Sequence, residues 1–315
     1  MFFEKVLNCI RESDLNGPLS CKGGDVLDGL SGSKTVGVLQ RLTGLFADDP
    51  TACYVEIGVF QGLTLFSVAV HFPDFPCFGI DNFSILDPQG KNYDIVTNRK
   101  ARLNATNATL INKDFEVALE TLGEHLAGRK VGVYFIDGAH DYRSQLIALL
   151  LAAPLLHENA VILVDDANYA FVRQSTRDFL ISHPKYKMIF EAYSPDHPAN
   201  MAPNALKQWE KGWLNGINIL VRDPAGALPE MLPPTEADRT LYVNDWLVHR
   251  HQLAELAPQA LNLAQAVCRG DGAAEAACRE ELINRFNKMR DGLDLRRPDR
   301  NTYSAGLTTG RYNEL

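Results

Sequence analysis

Residues 53–64 read Cys53-Tyr54-Val55-Glu56-Ile57-Gly58-Val59-Phe60-Gln61-Gly62-Leu63-Thr64. An apolar, strand-like run ends in an acid and a glycine, and a second glycine opens a segment of helical periodicity. Glycine lets the backbone turn tightly and lets a ligand lie against main-chain N–H groups, while the helix start favours an anionic group such as a carboxylate. A dinucleotide-binding G-x-G-x-x-G would place glycine where Glu56 stands, and an acid there opposes a pyrophosphate. The stretch therefore predicts a strand–turn–helix unit for a cationic, phosphate-free ligand.

The same alternation continues outward from this unit. Strands are expected near 53–57, 77–81, 108–112, 131–136, 160–165, 187–193 and 217–222, separated by helices at Gln61–Phe72, Asp94–Asn104, Phe115–Leu126, Tyr142–Leu156 and Asn168–Ser182. Five strand–helix repeats before two closing strands give an α/β, Rossmann-like sheet covered on both faces. The short joins after Lys187 have no crossover helix, so one late strand runs antiparallel. This domain spans 51–222. Residues 1–50 hold two amphipathic stretches, Phe2–Arg11 and Thr35–Phe46, joined by a Gly-rich link, and read as an N-terminal helical cap. Residues 223–315 begin Pro-rich and continue as helical stretches at about Glu236–Val267 and Ala273–Met289, with Cys278, Leu282, Phe286 and Met289 at helical spacing. A polar tail, Asp291–Leu315, reads as a surface arm or disordered.

Composition narrows the function classes. The chain has 315 residues, 46% hydrophobic and 22% charged, with a net charge of −8. That balance fits a globular protein and lacks the basic stripe of a nucleic-acid binder. No apolar run reaches the roughly 20 residues that span a bilayer, and no secretory signal is readable, so neither a membrane nor a nucleic-acid partner is expected and the location is cytoplasmic. Six cysteines without a C-x-x-C pair read as packing residues of a reducing compartment.

Two further strand ends extend the first signal. Asp81 closes Phe78-Gly79-Ile80-Asp81, where a carboxylate accepts hydrogen bonds from ribose hydroxyls. Asp114 and Phe115 follow the third strand, a polar group and an aromatic able to bracket an adenine ring. Taken singly, each acid also reads as a helix N-cap or a solvated loop residue.

The E-x-G-x-x-x-G at Glu56–Gly62 resembles the first motif of class I S-adenosylmethionine-dependent methyltransferases, and the resemblance covers roughly Cys53–Arg222. It implies a seven-stranded sheet with an antiparallel last strand. It also implies a cofactor-binding set of Glu56, Gly58, Gly62, Thr64, Asp81, Asp114, Phe115 and Asp137, with Gly58 and Thr64 at the methionyl end.

Downstream, the fourth strand ends in Asp137-Gly138-Ala139-His140-Asp141-Tyr142 and the fifth in Asp165-Asp166. Carboxylates converging on one rim cannot all stay ionised unless something positive intervenes, and a divalent metal held by Asp137, Asp165 and Asp166 is the simplest remedy. Hard oxygen ligands suit Mg²⁺, Mn²⁺ or Ca²⁺. Asp165–Asp166 also reads as a plain helix N-cap, and His140 as a helix-start histidine.

This second pattern resembles the metal-dependent small-molecule O-methyltransferases, catechol-type enzymes and the macrocin- and aminocoumarin-sugar enzymes among them. The resemblance implies His140 and Asp137 as catalytic, with Asp166 and His140 standing where the catechol type has an Asn ligand and a Lys base. Between the last two strands, 194–216 reads as a substrate lid in which His197, Trp209 and Trp213 face the acceptor; Trp209 and Trp213, four apart, would share a helix face or pack in a satellite core. The expected function is transfer of a methyl group from S-adenosylmethionine to a hydroxylated small molecule, a secondary-metabolite sugar or phenol, with magnesium assistance, in a homo-oligomer. Two rivals stay open: a nicotinamide-dependent oxidoreductase, and a catalytically silent methyltransferase-like subunit.

Overall fold

The computed structural model describes residues 2–19, 24, 26–84, 86–87, 89–235, 256–292 and 310–313. Its centre is an eight-stranded sheet in the order β3-β2-β1-β4-β5-β7-β6-β8. The strands are β1 (Ala52–Ile57), β2 (Cys77–Ile80), β3 (Ala108–Ile111), β4 (Lys130–Ile136), β5 (Leu156–Asp165), β6 (Tyr186–Ala192), β7 (Ile217–Arg222) and β8 (Arg311–Tyr312). The first five pair in parallel, whereas β7 runs antiparallel to both β5 and β6, and β8 antiparallel to β6. A late strand is thus antiparallel, as expected, but the join before it is not helix-free: residues 193–216 between β6 and β7 include the short helix Pro203–Trp209.

Helices α1 (Phe2–Asn16), α2 (Ser33–Gly44) and α3 (Leu63–Ala69) cover one face of the sheet, where Ile10, Leu39, Leu42, Phe66 and Tyr54 share a buried cluster. Between β2 and β3 lies α4 (Asn92–Arg102), whose Val96 joins the same cluster. On the opposite face α5 (Phe115–Leu126), α6 (Tyr142–Ala152) and α7 (Ala170–Ser182) bury Leu122, Leu149 and Phe179 against Val55, Tyr134 and Ile162. Alternation along each strand feeds both layers, which explains why the strands read as nearly continuous apolar runs. A short α8 (Pro203–Trp209) lies between β6 and β7, and α9 (Ala257–Arg269) and α10 (Gly272–Gly292) pack on each other after the main sheet.

Three expectations are corrected here. The sheet gains an eighth strand from the tail: Tyr312 pairs with Phe190, and the Asn313 side-chain amide donates to the carbonyls of Met188 and Pro229, both at 2.9 Å. The sixth helical segment stops at Ala152, because Pro154 cannot continue a helix, and β5 starts as early as Leu156 through the polar His157-Glu158-Asn159. On α10, Cys278 and Leu282 are half-buried but Phe286 is exposed. Residues 236–255 of the anticipated Glu236–Val267 helix, and 293–309 of the tail, lie outside the described residues. No helix among the described residues is long and apolar enough to cross a membrane, and Cys9, Cys53, Cys77, Cys268 and Cys278 are free thiols.

Register decides where function can sit. Ile57 pairs with both Ile80 and Ile136, Ile80 pairs with Ile111, and Ile136 pairs with Val164. The residues that follow these partners, Gly58, Asp81, Asn112, Asp137 and Asp165, therefore line one continuous rim. This is the carboxyl edge at which open α/β sheets bind ligands.

Candidate active site

At the first turn, Gly58 and Gly62 both have left-handed backbones (φ +87° and +85°). A Cβ on Gly58 would lie 1.8 Å from the Asp137 carbonyl oxygen, so only glycine lets β1 leave the sheet this close to β4. Glu56 points into the fold. Its carboxyl accepts from the Tyr54 hydroxyl at 2.6 Å and from the Thr64 hydroxyl at 3.2 Å. Complete burial pushes it up to about 8, with the Asp81 charge adding to the rise and the two hydroxyls opposing it. Glu56 is thus satisfied by Tyr54 and Thr64 beneath the turn.

Asp81 ties the next two loops together. One carboxylate oxygen accepts the Phe60 N–H at 2.8 Å and the other the Phe83 N–H at 2.7 Å. Phe60 and Phe83 are both left-handed (φ +49° and +52°), so the carboxylate holds two unusual backbone turns. Each oxygen still has acceptor capacity, and the carboxylate is half-exposed on the rim. Asp114 caps α5 by accepting the Glu116 N–H at 2.9 Å, while Phe115 packs at the edge of the lower core.

The acidic end of the rim is more tightly built than its sequence suggests. Asp166 leaves β5 in a left-handed conformation (φ +56°). One Asp166 oxygen lies 2.5 Å from His140 Nε2, and the other accepts the Asn215 side-chain amide at 2.5 Å. The His140 ring stacks on Tyr169 (4.7 Å between centroids, 15° between planes), and the Tyr169 hydroxyl lies 3.0 Å from His197 Nε2. One candidate ligand atom each from Asp137, His140 and Asp166 lie within 4.8 Å of one another. Asp165 is not part of that group, so the expected trio of Asp137, Asp165 and Asp166 is regrouped. Its place is the last residue of β5, buried beneath the turn that carries Asp166.

Electrostatics divides the three acids. Burial, reinforced by the charges of Asp165 and Asp166, holds Asp137 well above the usual carboxylate range. Burial and the Asp166 charge do the same to Asp165. For Asp166 burial acts in the same sense, yet the His140 charge and hydrogen bond, with that of Asn215, outweigh it and keep the carboxyl low. Two carboxylates and an imidazole so close together suit a hard or borderline divalent cation, so the donor set fits a metal.

Above this end of the rim the N-terminal cap meets the insertion. The Ser31 hydroxyl donates to Asp137 Oδ2 at 3.4 Å, and the Ser33 and Lys34 N–H groups donate to the carbonyls of Glu210 and Gly212 at 2.8 and 3.1 Å. A Cβ on Gly32 would lie 2.3 Å from the Gly212 oxygen. The expectation that Trp209 and Trp213 share a helix face is corrected: α8 ends at Trp209, and the chain turns through Gly212 before Trp213. Trp213 is buried against Phe190 and donates its indole N–H to Asp14 at 3.0 Å, pinning α1 to the insertion, whereas Trp209 stays half-exposed. Ser31, Tyr169 and Asn215 were not singled out from sequence. The Asn215-Gly216 pair was legible as a turn signal, but not as a partner of Asp166.

Comparison with known proteins adds the following. Residues 55–167 match the family model described as a methyltransferase domain. No curated protein sequence matches the chain. Among solved structures, it is similar to an O-methyltransferase from Bacillus cereus in complex with SAH, at 15% identity and a TM-score of 0.47, over 71% of this chain and 100% of that one. It is also similar to the O-methyltransferase TomG from Streptomyces achromogenes, involved in tomaymycin synthesis and solved with SAM. That match has 15% identity and a TM-score of 0.48, over 70% of this chain and 97% of the other. CalS11, a TDP-rhamnose 3′-O-methyltransferase of calicheamicin biosynthesis, aligns at 13% identity and a TM-score of 0.42, over 70% of this chain and 93% of that one. The matched segment runs from β1 to the turn after Asp166, so the parallel strands and the rim in which they end lie within the stretch that is similar to a methyltransferase domain.

Proposed function

We propose that this chain is an S-adenosylmethionine-dependent methyltransferase acting on a hydroxyl oxygen of a small molecule, a sugar or phenol of secondary metabolism, with a divalent cation, Mg²⁺ by preference, at Asp137 and Asp166 and with His140 as general base. The observation that carries the reading is the continuity of the rim. The Gly58 turn and Asp81 stand at one end, and the Asp137–His140–Asp166 group follows directly on the neighbouring strands. A nucleoside whose ribose is held at Asp81 and whose methionyl end lies against the Gly58 turn directs its sulfonium carbon toward the acidic group.

The donor, when bound, supplies an electrophilic methyl on a positively charged sulfur. A divalent cation lowers the pKa of a neighbouring hydroxyl. The chain's own residues then have defined tasks. Asp166, kept ionised, holds the imidazole through Nε2–H and stabilises the positive charge that His140 gains when it takes the acceptor proton. As that proton leaves, the acceptor oxygen forms its bond to the methyl carbon, and the carbon–sulfur bond breaks with its electron pair staying on sulfur. Tyr169, stacked on the imidazole, fixes the ring plane. The cap at Ser31 and the insertion at Glu210–Gly212 meet beside this end of the rim.

Labelled donor offered to a panel of hydroxylated sugars and phenols, with Mg²⁺ or with chelator, tests the proposal. The expected outcome is label on oxygen, stimulated by Mg²⁺ and abolished in Asp137→Ala. Full transfer in chelated protein rejects the metal, and donor binding without turnover on any acceptor favours the silent-subunit alternative.

A further inference from the structure

Asn215 belongs to neither the family motif nor the predicted site, yet it touches the centre of the acidic group. It stands in the insertion, two residues before β7, and is 3% exposed. Its side-chain N–H donates to Asp166 Oδ1 on the side opposite His140. Its backbone carbonyl accepts the Asn168 N–H at 3.0 Å, and the Gly216 carbonyl accepts the Ala167 N–H at 3.2 Å. Asp166 therefore sits in its left-handed turn with the insertion bonded both to its carboxylate and to the backbone that follows it. A non-glycine residue in that conformation persists only where its surroundings determine it.

The other end of the amide sharpens the point. Asn215 Oδ1 is buried and has no hydrogen-bond partner among the described residues. An unsatisfied buried carbonyl costs stability, so the side chain is poorly explained as a fold element. What its amide does is donate to Asp166. We propose that Asn215 is a positioning residue: by fixing one Asp166 oxygen it directs the other to His140 Nε2, setting the imidazole's hydrogen bond and the orientation of the acid toward any bound cation. This rests on reading Asp137, His140 and Asp166 as the acceptor-side site, and it assigns to the insertion a part in building that site as well as covering it.

The test uses the full-length protein labelled with ¹⁵N-histidine. The His140 imidazole N–H signal, assigned by its loss in His140→Gln, is followed in metal-free wild type, Asn215→Ala and Asn215→Ser, and Mn²⁺ affinity is measured on the same samples by calorimetry. Asn215→Ala is expected to shift or broaden that signal and to weaken Mn²⁺ binding about 10- to 100-fold, the range for loss of a group that orients a metal ligand. Asn215→Ser keeps a short donor and should recover part of both effects; it is the variant to read if Asn215→Ala fails to fold. An unchanged His140 signal in a folded Asn215 variant overturns the positioning role. Wild type that binds no Mn²⁺ refutes the metal reading separately, and the His140 signal then decides the role of Asn215 by itself.

Discussion

Replacing Glu56 by glutamine tests whether the acid that begins the donor motif is charged in the resting protein. The side chain is fully buried, and its carboxyl is pushed up to about 8 from an ordinary 4.5. Between those values the unfolded chain has lost the proton while the folded chain keeps it, so the folded state binds more protons and stability falls as pH rises. Each pH unit in that window costs about 1.4 kcal/mol. From pH 4.5 to pH 7 wild type should lose about 3 kcal/mol through this one group, and the loss should level off above pH 8. Glutamine has nearly the same shape, can meet the Tyr54 and Thr64 hydroxyls, and does not titrate. Urea unfolding of both proteins at pH 5, 6, 7 and 8 isolates the effect, because other titrating groups contribute to both curves. The stability of Glu56→Gln relative to wild type should climb steadily across that range. A difference flat to within about 0.5 kcal/mol from pH 5 to pH 8 would mean that Glu56 is already ionised in the fold, and the reasoning from burial would fail.

Four further outcomes are expected. Gly58 and Gly128 have nearly the same backbone (φ +87° and +86°), but only at Gly58 does a Cβ collide with main chain; Gly128→Ala should cost about 1–2 kcal/mol in urea unfolding, whereas Gly58→Ala should cost more than about 4 kcal/mol or prevent folding. His140→Ala should lower kcat roughly 10²–10⁴-fold without changing donor affinity by calorimetry, and a near-normal rate at every pH would give the proton to another group. Asp81→Asn should weaken donor binding about 10- to 100-fold, the worth of a charged hydrogen-bond acceptor, with unchanged affinity placing the ribose elsewhere. Because burial and neighbouring charge push the Asp137 carboxyl above the usual range, Mn²⁺ competes with a proton there, and its affinity should rise with pH; a pH-independent constant would remove Asp137 from the ligands.

The sheet was legible because its strands are short apolar runs punctuated by Gly, Pro, Asn and Asp, and five of those runs end in residues that mark the rim. The third strand of the pattern and the Phe115–Leu126 helix appear where the sequence predicts them, since Asp114 supplies a cap and an apolar face follows at helical spacing. What escaped depended on long-range pairing. β8 is two residues long, and nothing in Arg311-Tyr312 announces that it will sit beside Phe190 with Asn313 bonded to Met188. Trp213 has the same aromatic signature whether it lines a ligand or fills a core, and only its bond to Asp14, nearly two hundred residues earlier, separates the cases. Asn215 carries no signal beyond that of a turn, because its role exists only once β7 lies beside β5.

Asp165 and Asp166 show most clearly where residue chemistry stops and geometry takes over. In sequence they are one doublet, and repulsion among three nearby carboxylates argues for a cation. The fold supplies a second remedy. Burial pushes the carboxyls of Asp137 and Asp165 above the usual range, while the left-handed turn at Asp166 brings its carboxyl, held low, to an imidazole and an amide. Repulsion among the three acids is thus eased by the protein's own groups, so repulsion alone is no proof of a metal. What favours a cation is directional: carboxyl oxygens of Asp137 and Asp166 converge within 4.8 Å beside the His140 ring, whereas acids that merely share protons need no common focus.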